Sequence, residues 1–238
     1  MSYKIIYAIT TADANVKHEG EISTIEHDGL LALVQETDKL RQRPSRKNVL
    51  RHQAIIERVM TQGYPVLPMR FGTVAESAEG VVDHILVKQA GELNRLLAYV
   101  TGKHEVGLRV NWPEADLLAE VTRRAPDLLK AASTATEINE KINIGQQVAA
   151  VNQQIHDDLT DAFLTIIKDF IADYRLHDRA GDTESLNAAF LIEDKNQVGF
   201  DAALDVFSRD YPDGVLFKLI TPLPAYSFVD LTINLEDD

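Results

Sequence analysis

A chain of 238 residues with 45% hydrophobic side chains can bury one large or two small cores, so disorder is not expected. Its net charge of −13 and pI of about 4.9 argue against nucleic acid and against an anionic membrane surface, because both recruit a basic face. With no cysteine, disulfides, thiolate nucleophiles and Cys-based zinc sites are excluded.

Residues 3–10 are aromatic and β-branched and predict a first strand. The beginning of this strand is too short an apolar run for a signal peptide, and no apolar stretch nears the roughly 20 residues of a membrane helix. A soluble, cytoplasmic protein is therefore expected. Two more strands follow at 22–26 and 30–35, joined by His27-Asp28-Gly29, a hairpin signal because glycine takes positive φ cheaply. Arg41, Arg43, Arg46, Lys47 and Arg51 form a basic run around Pro44, with Arg58 further along. It reads more readily as a solvated surface than as a docking patch for an acidic partner. Ser45 is a fitting N-cap for a helix whose apolar face is Val49, His52, Ile55, Ile56, Val59 and Met60. Gly63 and Pro65 end it.

Residues 65–73, Pro-Val-Leu-Pro-Met-Arg-Phe-Gly-Thr, predict a short strand whose prolines restrict pairing to an edge, with Gly72 turning the chain onward. Arg70 is the most informative charge in the chain. It suits either a bidentate clamp on a carboxylate or phosphate, or a structural pairing with an acid, with His52 or with loop carbonyls. The structural role is favoured, so Arg70→Ala is expected to lower folding stability more than it alters a surface contact. A second helix carries Val82, Ile85, Leu86, Leu93, Leu96, Leu97 and Val100.

Thr101-Gly102-Lys103 marks a boundary, giving domains at 1–102 and 103–238. Beyond it Val106, Leu108, Val110 and Trp112 alternate, the sign of a half-buried strand ending on an aromatic anchor. Pro113 opens a helix and Pro126 restarts it. From Asp127 to about Tyr174 apolar residues recur every three to four positions, predicting one very long helix or two stacked ones. A loop at 177–184, a strand at 186–192, a helix at 198–208, a strand at 215–221 and an extended tail complete the chain, with Glu236-Asp237-Asp238 as a solvated end. Both halves predict an α+β fold of ferredoxin-like type, each a small, mainly antiparallel sheet with helices on one face.

Catalytic signals are weak. The seven histidines show no metal-ligand spacing, and His156 and Asp157 point apart on a helix. Asp157, Asp158 and Asp161 read as a solvated helix face in preference to a cation site. Phosphate loops and the Gly-x-Ser-x-Gly elbow are missing.

Four blocks resemble a known family. Arg51-His52 with residues 65–73 is similar to the "RHE…VLPLRFGTVF" segment of the gas vesicle protein L/F family. Residues 105–112 resemble its "EVAVRVFW" strand. Residues 187–192 with Phe200 resemble "NAAFLV…F", and residues 221–229 its "GPWPPYSFV" ending, here with Thr221, Leu223 and Ala225 substituted. The long helix has only Gly145-Gln146-Gln147-Val148-Ala149 where the family has "GxxYL".

The resemblance implies two domains of ferredoxin-like and modified ferredoxin-like kind. It also implies a non-enzymatic accessory or minor structural protein of gas vesicles, the gas-filled protein shells that give microbes buoyancy. Such a protein binds the major shell protein, with other vesicle accessory proteins as further partners, and associates with the shell. No catalytic residue, cofactor or metal is implied, and neither nucleic acid nor lipid membrane is a partner. The motif positions Arg70, Phe71, Gly72, Phe190, Tyr226 and Phe228 carry structural or partner-binding roles. Two alternatives stand beside this reading: a small-molecule-binding regulatory module, and an enzyme using a carboxylate pair with a histidine.

Overall fold

A computed structural model describes residues 2–14, 16 and 21–231; the acidic end at 236–238 lies outside them. By contact the chain divides into two units, Met1–Glu105 with Pro222–Asp238, and Val106–Thr221. The tail is thus grouped with the first unit, where the sequence placed it with the second domain.

The first unit begins with three strands, β1 (Tyr3–Thr11), β2 (Ile22–His27) and β3 (Leu30–Thr37), and β1 and β2 each pair antiparallel with β3. The hairpin turn places Asp28 and Gly29 at φ 44° and 80°, as the Asp-Gly pair requires. Helix α1 (Arg46–Thr61) starts at Ser45, whose hydroxyl accepts from Asn48 N. It packs Ile56 and Val59 against Ile5, Tyr7, Leu31 and Leu33.

Along β3 the alternating residues Leu30, Ala32 and Val34 are equally buried. The segment α2 (Ala78–Val81), a π-helical stretch (Val82–Val87) and α3 (Ala90–Val100) touches β1 and β3 and brings buried Val81, Ile85, Leu86 and Leu93. Helices therefore cover both faces of this sheet instead of the single face expected, because every side chain along the centre of β3 is apolar on both sides of the pleat.

Residues 67–75 run back along the free edge of β1. The short β4 (Leu67–Pro68) and β5 (Val74–Ala75) both pair with it, Ala8 opposite Pro68 and Ile5 opposite Val74. Between these fixed pairs two residues of β1, Ile6 and Tyr7, thus face five of the returning chain, residues 69–73, and the surplus is expelled. Met69 N donates to Tyr7 O at 2.9 Å and Ile6 N to Thr73 O at 2.9 Å, leaving Arg70, Phe71 and Gly72 outside the ladder. The expected continuous strand is broken at this point. Gly72 at φ 90° closes the loop as Thr73 N reaches Arg70 O at 3.2 Å, a turn that needs positive φ at its third position.

In the second unit the strands are β6 (Lys103–Asn111), β7 (Ile171–Leu176), β8 (Glu184–Glu193) and β9 (Leu216–Leu223), in the order β7-β8-β6-β9. Relative to their own sequence this is 2-3-1-4, the ferredoxin-like order, with helices at both crossovers. These are α4 (Glu114–Arg124), α5 (Pro126–Thr134) and α6 (Ile138–Ile167) before β7, and α7 (Gln197–Ser208) before β9. The periodic stretch expected to stay helical to Tyr174 ends at Ile167 and becomes β7. Asp173 to Leu176 then pair antiparallel with Leu191 to Ala188, so ladder bonding overrides a helix-compatible spacing. The predicted tail is not extended either: Phe228 N and Val229 N both bond to Ala225 O at 3.1 Å.

The core of this unit is aromatic. Phe163 of α6 meets Phe190, Phe200 and Phe207 with centroids 5.1 to 6.1 Å apart. Trp112 anchors the end of β6, its ring edge-on to Tyr211. Phe163 is fully buried and touches all three partners. Phe163→Ala is therefore expected to lower unfolding free energy by about 3–5 kcal/mol, measurable by urea denaturation.

Candidate functional site

The expelled loop forms one wall of a cleft in the first unit. Its volume is about 480 Å³, and it is lined by Val49, His52 and Gln53 of α1, by residues 68–71, and by Tyr226, Ser227, Val229 and Asp230 of the tail. Two of the motif blocks, some 160 residues apart in sequence, therefore meet in one concavity.

His52 joins the walls. It is 5% exposed, and its Nε2 lies 2.8 Å from Met69 O. A carbonyl only accepts, so Nε2 carries the proton and Nδ1 is a bare acceptor; Nδ1 is buried with no hydrogen-bond partner. The ring stacks at a tilt on Tyr7, centroids 5.0 Å apart, and meets Phe71 edge-on at 5.6 Å. Burial pushes the imidazole pKa below its ordinary value, with the Met69 carbonyl opposing it.

The tail is held by Glu105, which is 5% exposed and accepts from Ser227 N at 2.7 Å and from Ser227 Oγ at 2.9 Å. A buried carboxylate with two donors on one residue fixes the turn that presents Tyr226. The Tyr226 ring is partly exposed, and its hydroxyl pKa is raised, first by burial and then by the carboxylates of Glu57 and Glu105.

Arg70 pairs with an acid, one of the partners the sequence allowed, but at the surface and not as a lock between strand and helix. Its guanidinium is 82% exposed and meets Asp230 Oδ1 at 3.1 Å across the cleft mouth, with Asp230 84% exposed. The bond joining helix to strand is made by His52, the residue next to it in the cleft wall. Phe71 and Tyr226 line the cleft with Arg70, and Gly72 shapes the loop. Phe228 is buried beneath the tail turn, and Phe190 belongs to the aromatic core of the second unit.

Glu105 was missed from sequence. Strand alternation put it on the face opposite Val106, Leu108 and Val110, and nothing in its neighbours signals that Ser227 is waiting for it. Asp230 and Gln53 gave no signal either.

The other candidate groups are dispersed. His156 is buried in the second unit between Ser185 Oγ at 2.6 Å and Asp182 O at 3.0 Å. Asp158 is paired with Arg124, and Asp157 accepts from Gln153. Among the described residues no group of three His, Asp or Glu side chains can hold a metal ion. No described helix is long and apolar enough to cross a membrane.

The chain matches the family described as gas vesicle synthesis protein GvpL/GvpF over residues 4–230. It is 30% identical to gas vesicle protein F of a Streptomyces species over 196 residues, 79% of each chain. With gas vesicle protein F of a Nostoc species it shares 23% over 210 residues, 86% of each. Among solved structures, gas vesicle protein GvpF from Anabaena sp. PCC7120 superimposes with a TM-score of 0.88 at 23% identity, covering 98% of this chain and all of that one. GvpF from Microcystis aeruginosa gives 0.81 at 22%, covering 96% and 99%.

Two measurements check the geometry of the cleft. The Arg70 pair is exposed, so Arg70→Ala should change unfolding free energy by no more than about 1 kcal/mol. His52 has a folded pKa below its unfolded value of about 6.5, so the unfolded chain binds the extra proton first as pH falls. Stability attributable to His52 is complete above about pH 6.5 and is lost as pH drops towards the folded value. Urea midpoints at neutral and mildly acid pH should converge more closely in His52→Gln than in the parent chain.

Proposed function

The chain belongs to the gas vesicle synthesis protein GvpL/GvpF family, and from that membership we propose that it is a non-enzymatic accessory protein which binds the major shell protein and supports vesicle assembly. The observation that carries this reading is the meeting of the two motif blocks in a surface cleft. Core packing accounts for Phe190 and Phe228, and turn geometry for Gly72. Neither accounts for Arg70, Phe71 and Tyr226, which frame an opening where a partner's side chains can be received.

The expected contact is non-covalent. An apolar side chain of the shell subunit enters between Phe71, Val49 and Tyr226, while the polar rim of Arg70, Gln53 and Asp230 sets orientation. The protein then acts in the cytoplasm at the vesicle shell, with other vesicle accessory proteins as further partners, and needs no cofactor. The dispersed titratable groups support a binding role over catalysis, and the acidic surface supports a protein partner over nucleic acid or lipid. A second reading, a small-molecule-binding regulatory module, rests on the cleft volume, which falls within the range of ligand pockets.

Capture of the co-expressed major shell protein on the immobilised full chain separates these readings. The parent chain should retain it, and Phe71→Ala/Tyr226→Ala should lose at least about tenfold in affinity while keeping its circular dichroism and melting curve. No capture by the parent chain, together with normal vesicles in a deletion strain, would sink the proposal. Stabilisation by a metabolite without capture would favour the second reading.

A further inference from the structure

Between positions 41 and 58 the chain carries six basic residues and one acid, against a total net charge of −13. Arg51 meets Glu21 at 3.6 Å. By contrast Arg41, Arg43, Arg46 and Lys47 are exposed and have no acid within ion-pair distance among the described residues.

Two of these cations stand where helix stability disfavours them. The first turn of α1 contains no acid and opens with Arg46 and Lys47. The partial positive charge of a helix N-terminus favours carboxylates at such positions and repels cations. The α1 dipole therefore gives no stability reason for this choice, and the absence of ion partners gives none for Arg41 and Arg43.

The basic surface is continuous with the cleft. Arg46, Val49 and His52 are spaced by three residues, which places them along one face of α1, Arg46 about 4.5 Å along the axis from Val49. Val49 is 42% and Leu50 53% exposed, so apolar surface adjoins the cations.

We infer that this face of the first unit docks an acidic segment of a partner protein, its carboxylates on Arg41, Arg43, Arg46 and Lys47 and an adjoining apolar side chain in the cleft beside Val49 and Phe71. The inference rests on the cleft being a protein-docking site and adds the chemistry its partner must carry. Charge complementarity selects the acidic character. The apolar side chains of Val49, Phe71 and Val229 in the cleft, in a molecule that is acidic as a whole, select a protein segment over a nucleic acid, whose phosphate track would meet repulsion beyond the patch.

The test uses the full chain and two fluorescent peptides: alternating Asp and Glu followed by Leu-Phe-Leu, and the same peptide with Asn and Gln for the acids. By anisotropy the acidic peptide should bind at least about tenfold more tightly and weaken with salt. The variant Arg43→Glu/Arg46→Glu/Lys47→Glu should lose that preference and melt at the same or a higher temperature, since its new carboxylates suit the helix N-terminus. Equal binding of the two peptides overturns the inference. So does retention of the preference in the triple variant, or tighter binding of a duplex oligonucleotide or of phosphatidylserine vesicles. Shell-protein capture by the parent chain with no preference between peptides overturns this inference alone. Acidic-peptide binding without shell capture overturns the shell-protein reading alone.

Discussion

The mismatch of register along β1 is the constraint on which the cleft depends. Because Pro68 and Val74 are both fixed by pairing, the residues between them cannot all stay in the ladder. Arg70, Phe71 and Gly72 are put outside it. Proline at an edge position makes this tolerable, since β4 asks nothing of a missing N–H on its outer side. His52 then makes the expelled loop a fixed wall: one hydrogen bond to Met69 O couples α1 to the loop's first residue, and two ring contacts sandwich the imidazole between Tyr7 and Phe71. A buried imidazole serves here because its Nε2–H satisfies a carbonyl that the ladder has abandoned.

The opposite wall depends on a different principle. The tail turn is held by Ala225 and Phe228 in buried positions and by the two hydrogen bonds from Ser227 to Glu105. A carboxylate buried in this way is costly without donors and strongly directional with them. It fixes the phase of a four-residue turn well enough to set the Tyr226 ring at the cleft.

Periodicity revealed most strands because each has one face that the core demands. The alternation of Val106, Leu108 and Val110, and the apolar runs of β1 and β3, are direct records of burial. Strand β7 escaped because Ile166, Phe170 and Tyr174 keep a four-residue spacing across the end of α6, with neither glycine nor proline to interrupt it. What ends the helix is pairing with β8, a long-range event that no local window contains. The cleft was legible only as motif: residues 65–73 and 221–229 were each conspicuous, but their meeting is tertiary. Arg70 does pair with an acid, as its structural reading allowed, but expulsion of the loop carries the pair into solvent, which no local window contains.

Helix α1 shows how one element can serve stability on one side and recognition on another. Its inward residues, Ile56 and Val59, are those the sheet requires, and Ser45 caps its start as the backbone requires. Its first turn contradicts both helix electrostatics and the sign of the whole molecule. A local preference violated where nothing in the fold compensates for it is a mark of function, since neither core packing nor capping would retain it. The cations at Arg46 and Lys47 lie on the helix whose residues Val49, His52 and Gln53 line the cleft. The same helix that anchors the sheet therefore also carries, in Arg46 and Lys47, exposed cations that the fold does not neutralise.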